Sequence, residues 1–101
     1  MQQPSFLLRA RRIAALALLS LSTLTAQAAD IVVGQVAPLT GVLASTGRDM
    51  ALGAKIYFDH INASGGINGN KIKHVVLDDG YKVDETVRLT RELIEKQNAV
   101  A

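Results

Sequence analysis

Cysteine and tryptophan are absent from this 101-residue sequence, and proline occurs only twice, at Pro4 and Pro38. Without cysteine there is neither a disulfide framework nor a thiolate metal site, so a stapled miniprotein is excluded. A basic surface is also missing. Lys+Arg number 11 against 9 Asp+Glu, but Arg9, Arg11 and Arg12 stand at the amino terminus, and from Ala29 onward the count is 8 against 9. Nucleic acid is therefore not an expected partner. With 49% hydrophobic and 20% charged residues the composition is that of a globular chain, neither disordered nor fibrous.

No apolar run is long enough to span a bilayer. The longest, Ile13 to Leu21, is about half the ~20 residues a crossing requires. It follows a basic stretch ending at Arg12 and precedes a polar approach to Ala26-Gln27-Ala28, which is the arrangement of a secretory signal. Ala26 and Ala28 supply the small side chains that signal peptidase requires at alternate positions. Residues 1–28 are thus expected to be removed and the mature chain to begin at Ala29 or Asp30. Arg11-Arg12 lacks the surrounding pattern of a twin-arginine signal, and no cysteine is available for a lipid anchor, so a soluble exported product is expected.

The remaining residues, 29–101, read as β-α-β-α. Ile31 to Ala37 is a β-branched run apolar nearly throughout, as a parallel strand covered on both faces should be, and Pro38 ends it. Met50, Ala54, Tyr57 and Ile61 then recur at helical spacing, predicting a helix from about Gly47 to Ser64 closed by Gly65-Gly66. Gly53 inside it suggests a close approach to the sheet. Asn68-Gly69-Asn70 signals a turn into a second strand, Lys71 to Leu77, whose early lysines suit a sheet edge. A helix of about 27 Å returns the chain far enough to start a parallel neighbour, giving a right-handed crossover. A second helix is predicted from an Asp84 N-cap to Gln97, with Val83, Val87, Thr90 and Ile94 along one side beside Leu89 and Leu93, and with Arg88–Glu92 and Arg91–Glu95 pairs outside. Asn98 to Ala101 resembles the approach to a third strand. A two-stranded parallel sheet is rarely stable alone, so the chain is expected to be the leading part of a larger α/β protein.

The loop from Pro38 to Gly47 stands at the carboxyl end of the first strand, where open α/β sheets place their ligands. Ser45 and Thr46 offer hydroxyls beside a helix amino terminus that favours a carboxylate. Equally, Thr46 could be the N-cap, with Asp49 completing a capping-box-like pair in the first turn. Gly41 and Gly47 are one residue too far apart for a phosphate-cradling loop and are followed by Arg48; the dinucleotide fingerprint and the nucleophile elbow both fail as well. Asp78 and Asp79 read as solvated strand-end carboxylates rather than a cation site, and no cofactor is implied. His60 and His74 read as surface or boundary side chains. Tyr81 could line the cleft, though packing over the second helix is the favoured role. Asn62-Ala63-Ser64 matches a glycosylation sequon by chance composition.

Three strings carry a resemblance: Val36-Ala37-Pro38-Leu39-Thr40-Gly41, then Asp59 through Gly65-Gly66 to Ile72, then Asp78-Asp79. Together they resemble the start of periplasmic binding proteins of the leucine/isoleucine/valine-binding family, the substrate-binding components of ABC importers. The resemblance covers Asp30 to Ala101. It implies the type I periplasmic binding fold, with residues 29–101 forming the first part of the amino-terminal lobe and the first strand inside the second. It also implies a periplasmic protein, monomeric when complete, that delivers a small solute to a membrane permease by hinge closure. In branched-chain binders of the family the position of Thr46 is an aromatic ring. The threonine here removes that wall, and relatives bind amides, urea, other amino acids and small aromatic acids. An amino acid or similar carboxylate is the expected solute, without catalysis. The alternatives are the extracellular ligand-binding domain of a signalling receptor with the same fold and, from another class, a secreted α/β hydrolase.

Overall fold

The structure, a computed structural model, describes residues 28–101; residues 1–27, and with them Ala26 and all but the last residue of the expected export signal, lie outside them. The element order is β1 (Ile31–Ala37), α1 (Ala44–Ala63), β2 (Ile72–Asp78) and α2 (Val83–Glu95). The strands pair in parallel, with Ile31 opposite Ile72 and Ala37 opposite Asp78, so the β-α-β crossover read from the sequence is present. No helix among the described residues is long and apolar enough to cross a membrane.

Side chains alternate along a strand, so this register sets two faces. Val33, Gln35 and Ala37 share one with Ile72, His74 and Val76, and α1 covers it: the Phe58 ring meets His74 edge-on with centroids 5.1 Å apart. His74 Nε2 also pairs with Gln35 Oε1 at 2.9 Å, which makes it the boundary side chain expected. Gly34 lies on the opposite face beneath α2. A Cβ there would fall 2.7 Å from Leu93 Cδ1, so the missing side chain lets Leu93 seat directly on the strand. The core is correspondingly small: Ala37 and Ile72 on the first face, Leu89 and Leu93 on the second.

α1 begins three residues earlier than its apolar spacing suggests, and its buried side is rotated. Gly47, Ala51, Ala54, Phe58 and Ile61 turn inward, whereas Met50 and Tyr57 are exposed. The rotation follows from Gly47, not Gly53. A Cβ on Gly47 would stand 1.9 Å from the carbonyl oxygen of Pro38, so only glycine lets the first turn rest on the β1–α1 loop; Gly53 faces open space. Gly65 and Gly66 close the helix in the left-handed region as expected. Asn68 and Gly69, with φ of 52° and 82°, then form the tight turn between Ile67 and Asn70.

In α2 only Leu89 and Leu93 of the predicted stripe are buried; Val83, Val87 and Ile94 are exposed on the described chain. Arg88 pairs with Glu85 at 2.8 Å and Glu92 at 3.5 Å, while among the described residues Arg91 and Glu95 form no ion pair. Asn98, at φ 58°, turns the chain back so that the Ala99 N–H donates to the Leu93 carbonyl. The Val100 N–H then donates to Val32 O at 3.0 Å, and Ala101 O accepts from the Gly34 N–H at 2.8 Å. The last residues therefore run along the edge of β1 that β2 leaves free, as a third strand's approach should, and β1 lies inside.

Candidate functional site

At the carboxyl ends of β1 and β2 two loops are tied together by one carboxylate. Asp78 Oδ1 accepts the Leu39 N–H at 2.8 Å and the Gly80 N–H at 2.9 Å, and Oδ2 accepts the Thr40 hydroxyl at 2.8 Å. The Gly80 amide, then the Leu39 amide and the Thr40 hydroxyl, hold the Asp78 carboxyl below its ordinary value of 3.8. Within the first of these loops, Arg48 of α1 donates from Nε to Leu39 O at 3.1 Å.

Asp79 does the same for the start of α2. It is buried, and it accepts the Tyr81 N–H at 2.9 Å and the Thr86 hydroxyl at 2.6 Å. The reading of Asp79 as solvated is thus corrected, whereas Asp78 is exposed as expected; each organises backbone amides that the turn leaves without partners. Asp84 is corrected as well. Lys82 is the residue before the helix, no side chain caps it, and Asp84 and Glu85 fall in the first turn, where negative charge suits the helix dipole.

Between the two helix amino termini lies a cavity of about 500 Å³ whose walls include Leu43, Thr46, Met50, Tyr81 and Val83. Thr46 is therefore in the cavity, and it is not an N-cap. Leu43 precedes the helix, no side chain caps it, and Thr46 lies inside the first turn because the Gly47 N–H already bonds to Leu43 O. Asp49 is displaced with it, beyond the first turn, so there is no capping box; the buried Asp79 and the exposed Lys82 also line the cavity. Ser45 is exposed in the same turn but does not line the cavity. Tyr81 does, with its side chain 65% exposed, so the expectation that it packs over α2 is overturned. The sequence held a signal for this in Asp79-Gly80-Tyr81, a turn-forming run, but nothing in it showed that Tyr81 would take a positive φ.

The other side chains singled out by the sequence remain apart. His60 is exposed at the end of α1, and among the described residues no three His, Asp or Glu side chains gather as a metal site. Asn62 is not free for modification, because both ends of its amide are bonded to Ile72.

Residues 30–101 match the profile of the family described as periplasmic binding protein. The chain belongs to that family. An amino acid binding protein of Pseudomonas aeruginosa is 41% identical over 90 residues, which is 88% of this chain and 24% of that relative. Among solved structures, a substrate-binding periplasmic protein from Ralstonia solanacearum superposes with a TM-score of 0.70 at 47% identity, covering 71% of this chain and 20% of its own. The branched-chain amino acid transporter substrate-binding protein of Streptococcus pneumoniae, solved with isoleucine, gives 0.67 at 31% identity over 69% of this chain and 20% of its own. The fold is accordingly α/β, the amino-terminal β-α-β-α part of a parallel-sheet lobe of a type I periplasmic binding protein of the leucine/isoleucine/valine-binding kind. This chain spans about a quarter of the length of the P. aeruginosa relative. A putative branched-chain amino acid ABC transporter from Silicibacter pomeroyi is also similar, with a TM-score of 0.67 at 39% identity over 69% of this chain and 18% of its own.

Proposed function

We propose that this protein is the substrate-binding component of an ABC importer that captures an amino acid or similar small carboxylate solute in the periplasm and hands it to a membrane permease. The observation that carries the reading is the position of the cavity: it opens at the carboxyl ends of parallel strands, between two helix amino termini, where this class of sheet binds its ligands. Thr46 supplies a hydroxyl to that cavity, and Ser45 stands beside it at the uncapped start of α1. Both belong to the first turn, whose free amides favour a carboxylate. Residues 1–28 act as the export signal, cut between Ala28 and Ala29 after the small pair Ala26 and Ala28, and residues 29–101 belong to the amino-terminal lobe. The working form is a monomer that closes about a hinge, with the solute stabilising the closed form through contacts to both lobes.

The test is a thermal-shift screen of the full-length protein purified from an osmotic-shock fraction, against single amino acids and small carboxylates. A ligand that binds the native state alone raises the melting temperature with concentration. Recovery in the shock fluid with a dose-dependent rise for an amino acid or carboxylate is the expected result. Retention in the cytoplasm, or no rise with any of these solutes, removes the importer reading.

A further inference from the structure

The pair Asn68-Gly69 makes the turn into β2, and it also sets an electrophile beside a nucleophile. The side-chain carbonyl carbon of an asparagine, Cγ, can be attacked by the backbone nitrogen of the next residue to close a succinimide ring. A side chain on that next residue obstructs the closure, and glycine has none. Four asparagines follow Ala29, and Asn68 alone among them precedes a glycine: Asn62 and Asn98 precede alanine, and Asn70 precedes Lys71. Asn62 is further protected because both ends of its amide are bonded to Ile72. Among the described residues, by contrast, the Gly69 N–H donates to no backbone acceptor.

The turn sets the pace. Asn68 and Gly69 both have positive φ, and the main chains of Ile67 and Asn70 exchange two bonds across them, at 2.8 and 2.9 Å. A turn of this mirror-image type places the following nitrogen across the Cα–C bond from Cβ, so the ring closes only after the backbone rotates. The Ile67–Asn70 bridge stands outside the two strands, and its opening leaves their pairing intact.

We propose that Asn68 is a site of spontaneous covalent modification, where cyclisation with Gly69 yields aspartate and isoaspartate at a rate governed by opening of the turn. The bond from the Gly69 nitrogen to Asn68 Cγ forms as the Cγ–Nδ2 bond breaks, and the proton of that N–H leaves with Nδ2 as ammonia. Water then adds across one of the two C–N bonds of the ring. Opening at Cγ gives aspartate; opening at the Asn68 backbone carbonyl carbon gives isoaspartate, whose main chain runs on through Cγ. No oxidation or reduction occurs, and water is the sole co-reactant. Aspartate tolerates the positive φ and keeps the turn. Isoaspartate adds a carbon to the main chain where there is little slack, since a Cβ on the neighbouring Gly66 would already stand 2.1 Å from Asn70 O. The site lies at the amino ends of the strands, opposite the cavity, and is independent of the solute-binding reading.

The test holds the full-length protein, folded and in urea, in neutral and in mildly alkaline buffer. Its peptides are mapped by mass spectrometry, with isoaspartyl methyltransferase labelling as the probe. The peptide carrying Asn68 is expected to gain the mass of water less that of ammonia and to separate into two isomers, one of them labelled, while Asn62, Asn70 and Asn98 stay intact over the same period. The rate should rise with pH, because the attacking nitrogen must shed its proton. The unfolded chain should react about ten- to hundredfold faster, the factor that two net hydrogen bonds hold back. Asn68→Gly accepts φ 52° and should lose the label while keeping the wild-type melting temperature. No conversion at Asn68 in the folded protein, or earlier conversion at another asparagine, overturns the assignment. Aspartate without its isomer overturns ring closure in favour of direct hydrolysis, and equal rates in the folded and unfolded protein overturn control by the turn.

Discussion

The side-chain amide of Asn62 pairs with both backbone polar groups of Ile72: the Ile72 N–H donates to Oδ1 at 2.7 Å, and Nδ2 donates to the Ile72 carbonyl at 2.8 Å. The β1 partner of this stretch is reached through Lys71, whose carbonyl accepts the Ile31 N–H. The groups of Ile72 therefore face the open edge of β2, and Asn62 closes that edge where it begins.

Asn62→Ala should consequently destabilise the protein by about 1–3 kcal/mol, since it strips partners from a donor and an acceptor that are already partly withdrawn from water. Asn62→Asp keeps an acceptor for the N–H but sets a carboxylate oxygen against the Ile72 carbonyl, so it should not rescue. Urea unfolding of the full-length variants measures both. Equal stability of wild type and Asn62→Ala would mean that water replaces the amide without cost.

Two glycines in one helix should respond with opposite signs. Glycine inside a helix costs about 1 kcal/mol relative to alanine, so Gly53→Ala, where the added methyl meets nothing within 4 Å, should stabilise by about that amount. Gly47→Ala places its methyl 1.9 Å from Pro38 O, a backbone atom that cannot rotate away. It should destabilise and also shift the loop that lines the cavity between the two helix amino termini. Paired thermal melts decide the matter, and a stabilising Gly47→Ala would show that the loop yields freely.

The same pair explains how much could be read without the structure. Apolar spacing gave the correct order of strands and helices and the parallel crossover, because these depend on periodicity and on turn residues such as Gly65-Gly66 and Asn68-Gly69. The rotation of α1 was not legible. Met50, Ala54, Tyr57 and Ile61 make as good a stripe as Ala51, Ala54, Phe58 and Ile61, and only the contact of Gly47 with Pro38 chooses between them. Thr46 was legible as a residue at the carboxyl end of β1 but not as a helical one, since α1 starts with no side-chain cap to mark it. Asp79 and Tyr81 were hidden for a related reason: their roles depend on a hydrogen bond from Thr86, seven residues farther along.

Removing that bond tests how the β2–α2 loop is held. Thr86→Val preserves the shape of the side chain but leaves the buried Asp79 oxygen without its hydroxyl donor, at a cost of about 1–3 kcal/mol. Because Asp79 also holds the Tyr81 amide, the variant should speed hydrogen exchange of that amide beyond what its loss of stability accounts for, measured at a temperature where the fold is fully populated. Thr86→Ser, which keeps the hydroxyl, should recover most of both. Loss with valine and no recovery with serine would place the effect in the lost methyl rather than the hydrogen bond.

Asp78 gives the fold an acid limb with a definite sign. Its carboxyl is held below 3.8 by the Gly80 and Leu39 amides and the Thr40 hydroxyl, so the folded state binds the proton less readily than the unfolded state. Stability from this group is fully present above its ordinary value and is lost as pH falls through the depressed folded value. Asp78→Asn retains an amide oxygen for the two backbone N–H groups and can still meet the Thr40 hydroxyl, but it cannot titrate. Melting temperature followed from about pH 6 down to about pH 2 should therefore show the wild type more stable at the upper end and the two curves converging at the lower. Parallel curves would mean that the three hydrogen bonds persist in the unfolded chain or contribute nothing, and the tie between the β1–α1 and β2–α2 loops would then have to rest on the backbone, where the Asp79 N–H donates to Ala37 O.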